Sequence, residues 1–180
     1  IFNKNNMYST KNMKLLIEDG LINADIDFKN LREYSALFLF DSIALGDLDK
    51  LFLLNNRYSG IVNGECSIRK NYSTPLLMVN LNINDFKFDD FQYSKARLNF
   101  LLKQGMLSIK NSSLLNASSS IILNGVIKKK DNKKIQFSPL DQIQINADVK
   151  NFDLKLLNRY IPWTLSIGGS FTSAVDISGK

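Results

Sequence analysis

Histidine is absent from this chain, and cysteine occurs once, at Cys66. Without histidine, imidazole metal sites and Ser-His or Cys-His dyads are excluded within these 180 residues. A single cysteine forms no internal disulfide and leaves the redox compartment open. Cys66 shares a strand face with Val62, Gly64 and Ile68, which marks it as a small buried apolar residue and not a nucleophile. Asp85, Asp89 and Asp90 form the one acid cluster, but no Asx-Gly loop spacing surrounds them, so they predict no metal site. There are three prolines (Pro75, Pro139 and Pro162) and no Gly-Ser linker, so no domain boundary is expected. No apolar run approaches the roughly 20 residues that a helix needs to span a bilayer. Nothing here supports catalysis, and the chain is expected to be neither an enzyme nor a cofactor carrier.

The net charge is +6, but the lysines are scattered among acids. Nucleic-acid binders concentrate basic residues on one face, so no nucleic-acid partner is expected. The one dense block is Lys128 to Lys134, with Asp131-Asn132 reading as the turn of a hairpin between two strand-like runs. A solvated tip is the plain reading of that block. Attraction to anionic head groups is the functional one.

What fills the chain is alternation. Leu77, Val79, Leu81 and Ile83 point one way, while Met78, Asn80, Asn82 and Asn84 point the other. Ile143, Ile145, Ala147 and Val149 repeat the pattern, as do Ala96, Leu98 and Phe100. Gly105 reads as a turn before Leu107 and Ile109, and Ile121, Leu123, Gly125 and Ile127 share a face. Ile22, Ala24, Ile26 and Phe28 alternate near the start. Thr164 to Ile177 is a last extended stretch, with Gly168-Gly169 as a bulge or hairpin turn.

Two segments break the period of two. Asp47 to Asn56 predicts a short helix capped by Asp47, with Leu48, Leu51 and Phe52 on one face. Asn151 to Tyr160 has the same texture, and Pro162 ends it. Both carry one phrase: LFLLNNRYSGIVNG from residue 51 and LKLLNRYIPWTLSIGG from residue 154, with Tyr58 and Tyr160 about 100 residues apart. The expected organisation is the end of one repeat over 1–46, a full repeat over 47–150, and the start of another over 151–180. These form one continuous elongated domain, a segment of a longer protein whose neighbouring repeats cover its ends.

Gly60, Val62 and Gly64 supply a G-x-V-x-G, and Pro75-Leu76 a later Pro-Leu before the strand Leu77 to Ile83. With Phe86-Lys87-Phe88 and Ile121 to Ile127, this pattern over roughly 45–180 resembles the repeat of the AsmA-like proteins. Within them it is most similar to the TamB (translocation and assembly module) group. The resemblance implies an all-β fold: long, mostly antiparallel strands curled into a U-shaped trough with an apolar interior, and short helical connectors between repeats. It also implies a periplasmic location in a diderm envelope, with the parent anchored in the inner membrane. The function implied is phospholipid transport to the outer membrane, with possible help to outer-membrane protein assembly through a barrel partner outside this segment.

On that reading, phospholipid acyl chains would lie on Leu77, Val79, Leu81, Ile83, Ala96, Leu98, Phe100, Leu107, Ile109, Ile121, Leu123, Ile143, Ile145, Ala147 and Val149. Head groups would meet Lys128, Lys129, Lys130, Lys133 and Lys134. The alternative is a structural or adhesive β-repeat with a closed, dry core, binding through loop residues such as Tyr72 or Trp163.

Overall fold

The computed structural model describes residues 7–52, 58–71, 74–89, 91–128, 141–159 and 167–179. Ten strands form one antiparallel sheet in strict chain order, each paired with the strand before and the strand after it. They are β1 (Tyr8–Ile17), β2 (Gly20–Asn30), β3 (Glu33–Ala44), β4 (Tyr58–Asn71) and β5 (Leu76–Phe88). The second half holds β6 (Phe91–Lys103), β7 (Met106–Leu115), β8 (Ser120–Lys128), β9 (Gln142–Asp153) and β10 (Ser170–Gly179). The sheet is open, with β1 and β10 as its edges. It is an elongated β trough, as the resemblance implied; alternation by itself suits a sandwich equally. All described strands belong to this one sheet, so no second sheet packs on it as in a sandwich.

Alternation explains the strands, and short turns explain the meander. Lys103 pairs with Met106 across Gln104 and Gly105, both at positive φ (51° and 74°), as a tight type I′ hairpin requires. Two-residue turns also join Ile17 to Gly20, Asn30 to Glu33 and Phe88 to Phe91.

The period of two is broken inside alternate strands. Asn12, Ser42, Asp85, Asn111 and Asn151 lie in β1, β3, β5, β7 and β9, all left-handed with φ between 49° and 56°. The ladder register shifts beside all five. Each is a bulge that moves the next side chain to the other face. Asparagine, aspartate and serine suit this conformation because their short polar side chains bond locally. In four of the five, the N–H freed from the ladder is satisfied from the neighbouring strand. Asn12 donates to Asp25 Oδ1 at 2.8 Å and Ser42 to Asn63 Oδ1 at 3.0 Å. Asn111 donates to Asn124 Oδ1 at 2.8 Å and Asn151 to Thr172 Oγ1 at 3.0 Å. Three bulges share a Lys-Asn pair at 11–12, 110–111 and 150–151.

Both helical segments lie at the same end of the strands. Helix α1 (Leu45–Phe52) follows β3 directly, and a 3-10 turn (Leu154–Arg159) follows β9. The helix begins two residues before the expected cap, so Asp47 sits within its first turn, where a carboxylate favours the N-terminal end of the dipole. The second segment begins at Leu154, because Asn151 to Asp153 remain paired with β10. Gly168-Gly169 is neither a strand bulge nor a hairpin turn. Leu154 N–H donates to the Gly169 carbonyl at 3.0 Å, which ties the approach to β10 back onto that turn. The expected hairpin tip at Asp131-Asn132 lies outside the described residues.

The buried core is small and sits under α1. Ile22, Ile43, Val62, Ile83 and Ala96 form it, one from each of β2 to β6, with Leu45 and Leu48 of the helix packed against them. Ile43 and Val62, 0% and 2% exposed, are the largest fully covered side chains among the described residues.

Candidate functional site

The register lines up one face of all ten strands into apolar rows that run across the sheet. One row holds Met13, Ala24, Phe38, Cys66, Val79, Phe100, Ile109, Gly125, Ile145 and Ile177, one residue from each strand. No polar side chain interrupts it. The row beneath runs Ile26, Ala36, Ile68, Leu77, Leu102, Leu107, Ile127 and Ile143. Above lies Ile43, Val62, Ile83, Ala96, Leu114, Ile121 and Val149.

The fifteen side chains picked out by alternation all point to this face. Leu77, Leu107 and Ile143 fall in the lower row, and Val79, Phe100, Ile109 and Ile145 in the middle one. Ile83, Ala96, Ile121 and Val149 are in the upper row. Leu81 pairs with Leu98, and Leu123 with Ala147, between the upper two. Only Ile83 and Ala96 of the fifteen are buried; thirteen keep part of their surface open, including Ile143 at 36%. A sandwich core would bury these positions. Here the apolar face is built but left only partly covered.

The opposite face carries Asn80, Asn82, Arg97 and Asn99, with Arg97 Nε donating to Asn82 Oδ1 at 3.1 Å. One buried polar group lies on the apolar side. Ser112, 4% exposed, faces the β7 bulge, where its Oγ accepts from Asn99 N–H at 3.0 Å. The same hydroxyl donates to the Asn99 carbonyl at 3.3 Å, so the bulge leaves neither backbone group of Asn99 unpaired.

Near the helical end the apolar face deepens into a cavity of about 330 Å³, lined by Phe86, Phe88, Phe91, Tyr93, Leu114, Ile121 and Phe152. Stacked rings run from Tyr58 to Phe88 (5.0 Å), Phe88 to Phe91 (6.4 Å) and Phe91 to Phe152 (6.3 Å). Tyr93 is 5% exposed, and burial pushes its phenol above the ordinary tyrosine range. Strict alternation from Ile83 turns Phe86 and Phe88 outward, and from Val149 it turns Phe152 outward. The bulges at Asp85 and Asn151 bring all three inside, so alternation alone missed them. The parity break between Ile83 and Phe86 was the available signal.

Other omissions have a different cause. Ala36 to Phe40 is apolar at every position, so periodicity cannot say that Phe38 and Phe40 face inward while Leu37 and Leu39 face outward. Cys66 lies in the middle row, half-buried, its thiol pKa raised by desolvation. Lys128 ends β8, exposed, whereas Lys129, Lys130, Lys133 and Lys134 lie outside the described residues, as do Tyr72 and Trp163. Among the described residues no cluster of acids or Cys66 has the makings of a metal site, and no helix is long and apolar enough to cross a membrane.

No family model, curated protein or solved structure matches this chain.

Proposed function

We propose that this segment is a non-enzymatic envelope module whose apolar face solvates phospholipid acyl chains, forming part of a groove between inner and outer membranes. The observation that carries the reading is the unbroken apolar row from Met13 to Ile177, partly open over most of its length. A folded protein rarely leaves so continuous an apolar face without a partner for it. Each CH₂ of an acyl chain moved from water onto this surface gains about 0.8 kcal/mol. That gain needs no directional contact, and the middle row runs across all ten strands, so a chain can shift along it without crossing a polar barrier. The resemblance to AsmA-like repeats points to the same chemistry and to the periplasm of a diderm bacterium.

Site-specific photocrosslinking in cells, within the full-length protein, tests this reading. Leu81 faces the apolar side opposite Leu98, while its neighbour Asn82 faces outward beside Arg97. Phospholipid adducts at position 81 and not at 82 are the expected result. Equal labelling indicates general membrane contact. Absence of lipid at both positions in a folded protein rejects the groove.

A further inference from the structure

The strand ends form the two lips of the trough, and the lips differ in charge. At the lip away from the helices, Arg69, Lys103 and Lys128 occupy one register row on β4, β6 and β8. Arg69 pairs with Leu76, Lys103 with Met106, and Met106 with Lys128, while Leu76 and Lys103 lie one step beyond the Leu77–Leu102 pair. Cations therefore recur on every second strand, two strand spacings or roughly 9–10 Å apart along the lip. Arg32 lies in the β2–β3 turn at the same lip, whereas the β2 position of the row itself is Asp27, across Ser35 from Arg69. Lys70, next to Arg69, ends the inner face.

Arg69, Lys103 and Lys128 are exposed, and among the described residues none of them makes an ion pair. Among the described residues the acids near this lip are engaged or sequestered: Glu33 is paired with Lys29, Asp27 accepts from Ser9 Oγ, and Asp141 is 2% exposed. Among the residues whose side chains are described, the opposite lip bears Glu18, Asp19 and Asp89 at its turns and Asp153 at the end of β9, with Lys87 and Lys155 as nearby cations.

We infer that the row of Arg69, Lys103 and Lys128 is a phosphate rail, which holds the phosphodiester head groups of lipids whose acyl chains lie on the apolar face. The inference rests on the groove reading above. Arginine and lysine side chains reach over an edge while their methylene stems stay on apolar surface, so outer-face cations at the last rung can meet a head group emerging over the lip. Leu76 and Met106, interleaved with the cations, give those stems an apolar bed. Even spacing lets one phosphate pass from cation to cation as the acyl chains shift. The rail thereby fixes which lip the head groups occupy.

The test uses the full-length protein with the photoreactive residue at position 81, and compares R69E/K103E/K128E with the opposite-lip variant K87E. All four side chains are exposed, and R69Q/K103Q/K128Q removes charge without introducing repulsion. The expected result is a fall of about tenfold in phospholipid adducts for both triple variants and little change for K87E. Unchanged adducts in the triple variants, with position 81 still labelled in the parent, overturn the rail and leave the groove standing. No adduct in the parent overturns both. Loss of adducts when purified protein is challenged with millimolar inorganic phosphate would assign the row to free phosphate and overturn the lipid rail.

Discussion

Phe91 and Phe152 stack with ring centroids 6.3 Å apart, although they belong to β6 and β9, three strands distant. In a flat sheet, strands that far apart are separated by roughly 14 Å, and face-directed side chains do not close such a gap. The rings meet because the sheet curls toward its apolar side above the short β7–β8 hairpin. Asn116 Nδ2 donates to the Gln92 carbonyl at 3.4 Å and Asn151 Nδ2 to the Ser118 carbonyl at 2.9 Å, which ties that hairpin to both flanking strands. Phe91→Ala and Phe152→Ala are each expected to cost about 1–3 kcal/mol. Their double-mutant cycle should show a coupling of about 0.5–1.5 kcal/mol in denaturant unfolding. Strict additivity would mean that the rings do not meet.

Val62 and Ile145 occupy the same face with opposite consequences. Val62 is 2% exposed beneath α1, so Val62→Asp buries an uncompensated charge and should cost about 3–5 kcal/mol or prevent folding. Ile145 lies on the part of the row that keeps access to solvent, where Ile145→Asp should cost only about 1–2 kcal/mol. The folded Ile145→Asp protein is expected to lose lipid adducts at position 81. Circular dichroism melts combined with crosslinking separate the two effects.

Gly64 has φ 134°, and a Cβ there would collide with the Asn80 carbonyl oxygen on β5. Gly64→Ala should therefore cost at least about 2 kcal/mol, through both backbone strain and a broken β4–β5 ladder. Gly46, in the first turn of α1, has open space around its Cβ direction. Gly46→Ala should stabilise the protein by up to about 0.5 kcal/mol by helix propensity. Urea midpoints moving in opposite directions would verify the pair.

Ser112→Ala removes the hydroxyl that serves both backbone groups of Asn99 at the β7 bulge. Left unpaired near the apolar face, those groups should cost about 1–3 kcal/mol. Hydrogen exchange should quicken at the Asn99 amide before it does at Val79 or Phe100. Uniform exchange across β6 would contradict a local role for the hydroxyl.

Desolvation raises the pKa of Cys66 above that of a free thiol, so less of it is thiolate at any pH below that value. Alkylation by a maleimide at about pH 8 should lag behind an unfolded control and accelerate as pH rises. Acyl chains on the middle row should slow it further, which a vesicle-loaded sample would reveal. Equal rates in folded and unfolded protein would place the thiol off the apolar face.

Alternation by itself determined that the chain is a series of strands, each with one apolar side. Successive Cβ atoms point to opposite faces, so Leu77 to Ile83 or Ile143 to Val149 can bury only one set. It also marked the two breaks that became α1 and the 3-10 turn, because leucines spaced around a helix cannot share a strand face. Parity past a bulge was beyond it. Ile43, Phe86 and Phe152 reach the inner face only because Ser42, Asp85 and Asn151 adopt left-handed backbone, and that choice is secured by pairing with other strands. Burial was decided later still. Val62 and Ile145 read alike in sequence, yet one lies beneath a helix and the other stays partly open, because only the curl of the sheet and the position of α1 determine where protein covers its own apolar surface.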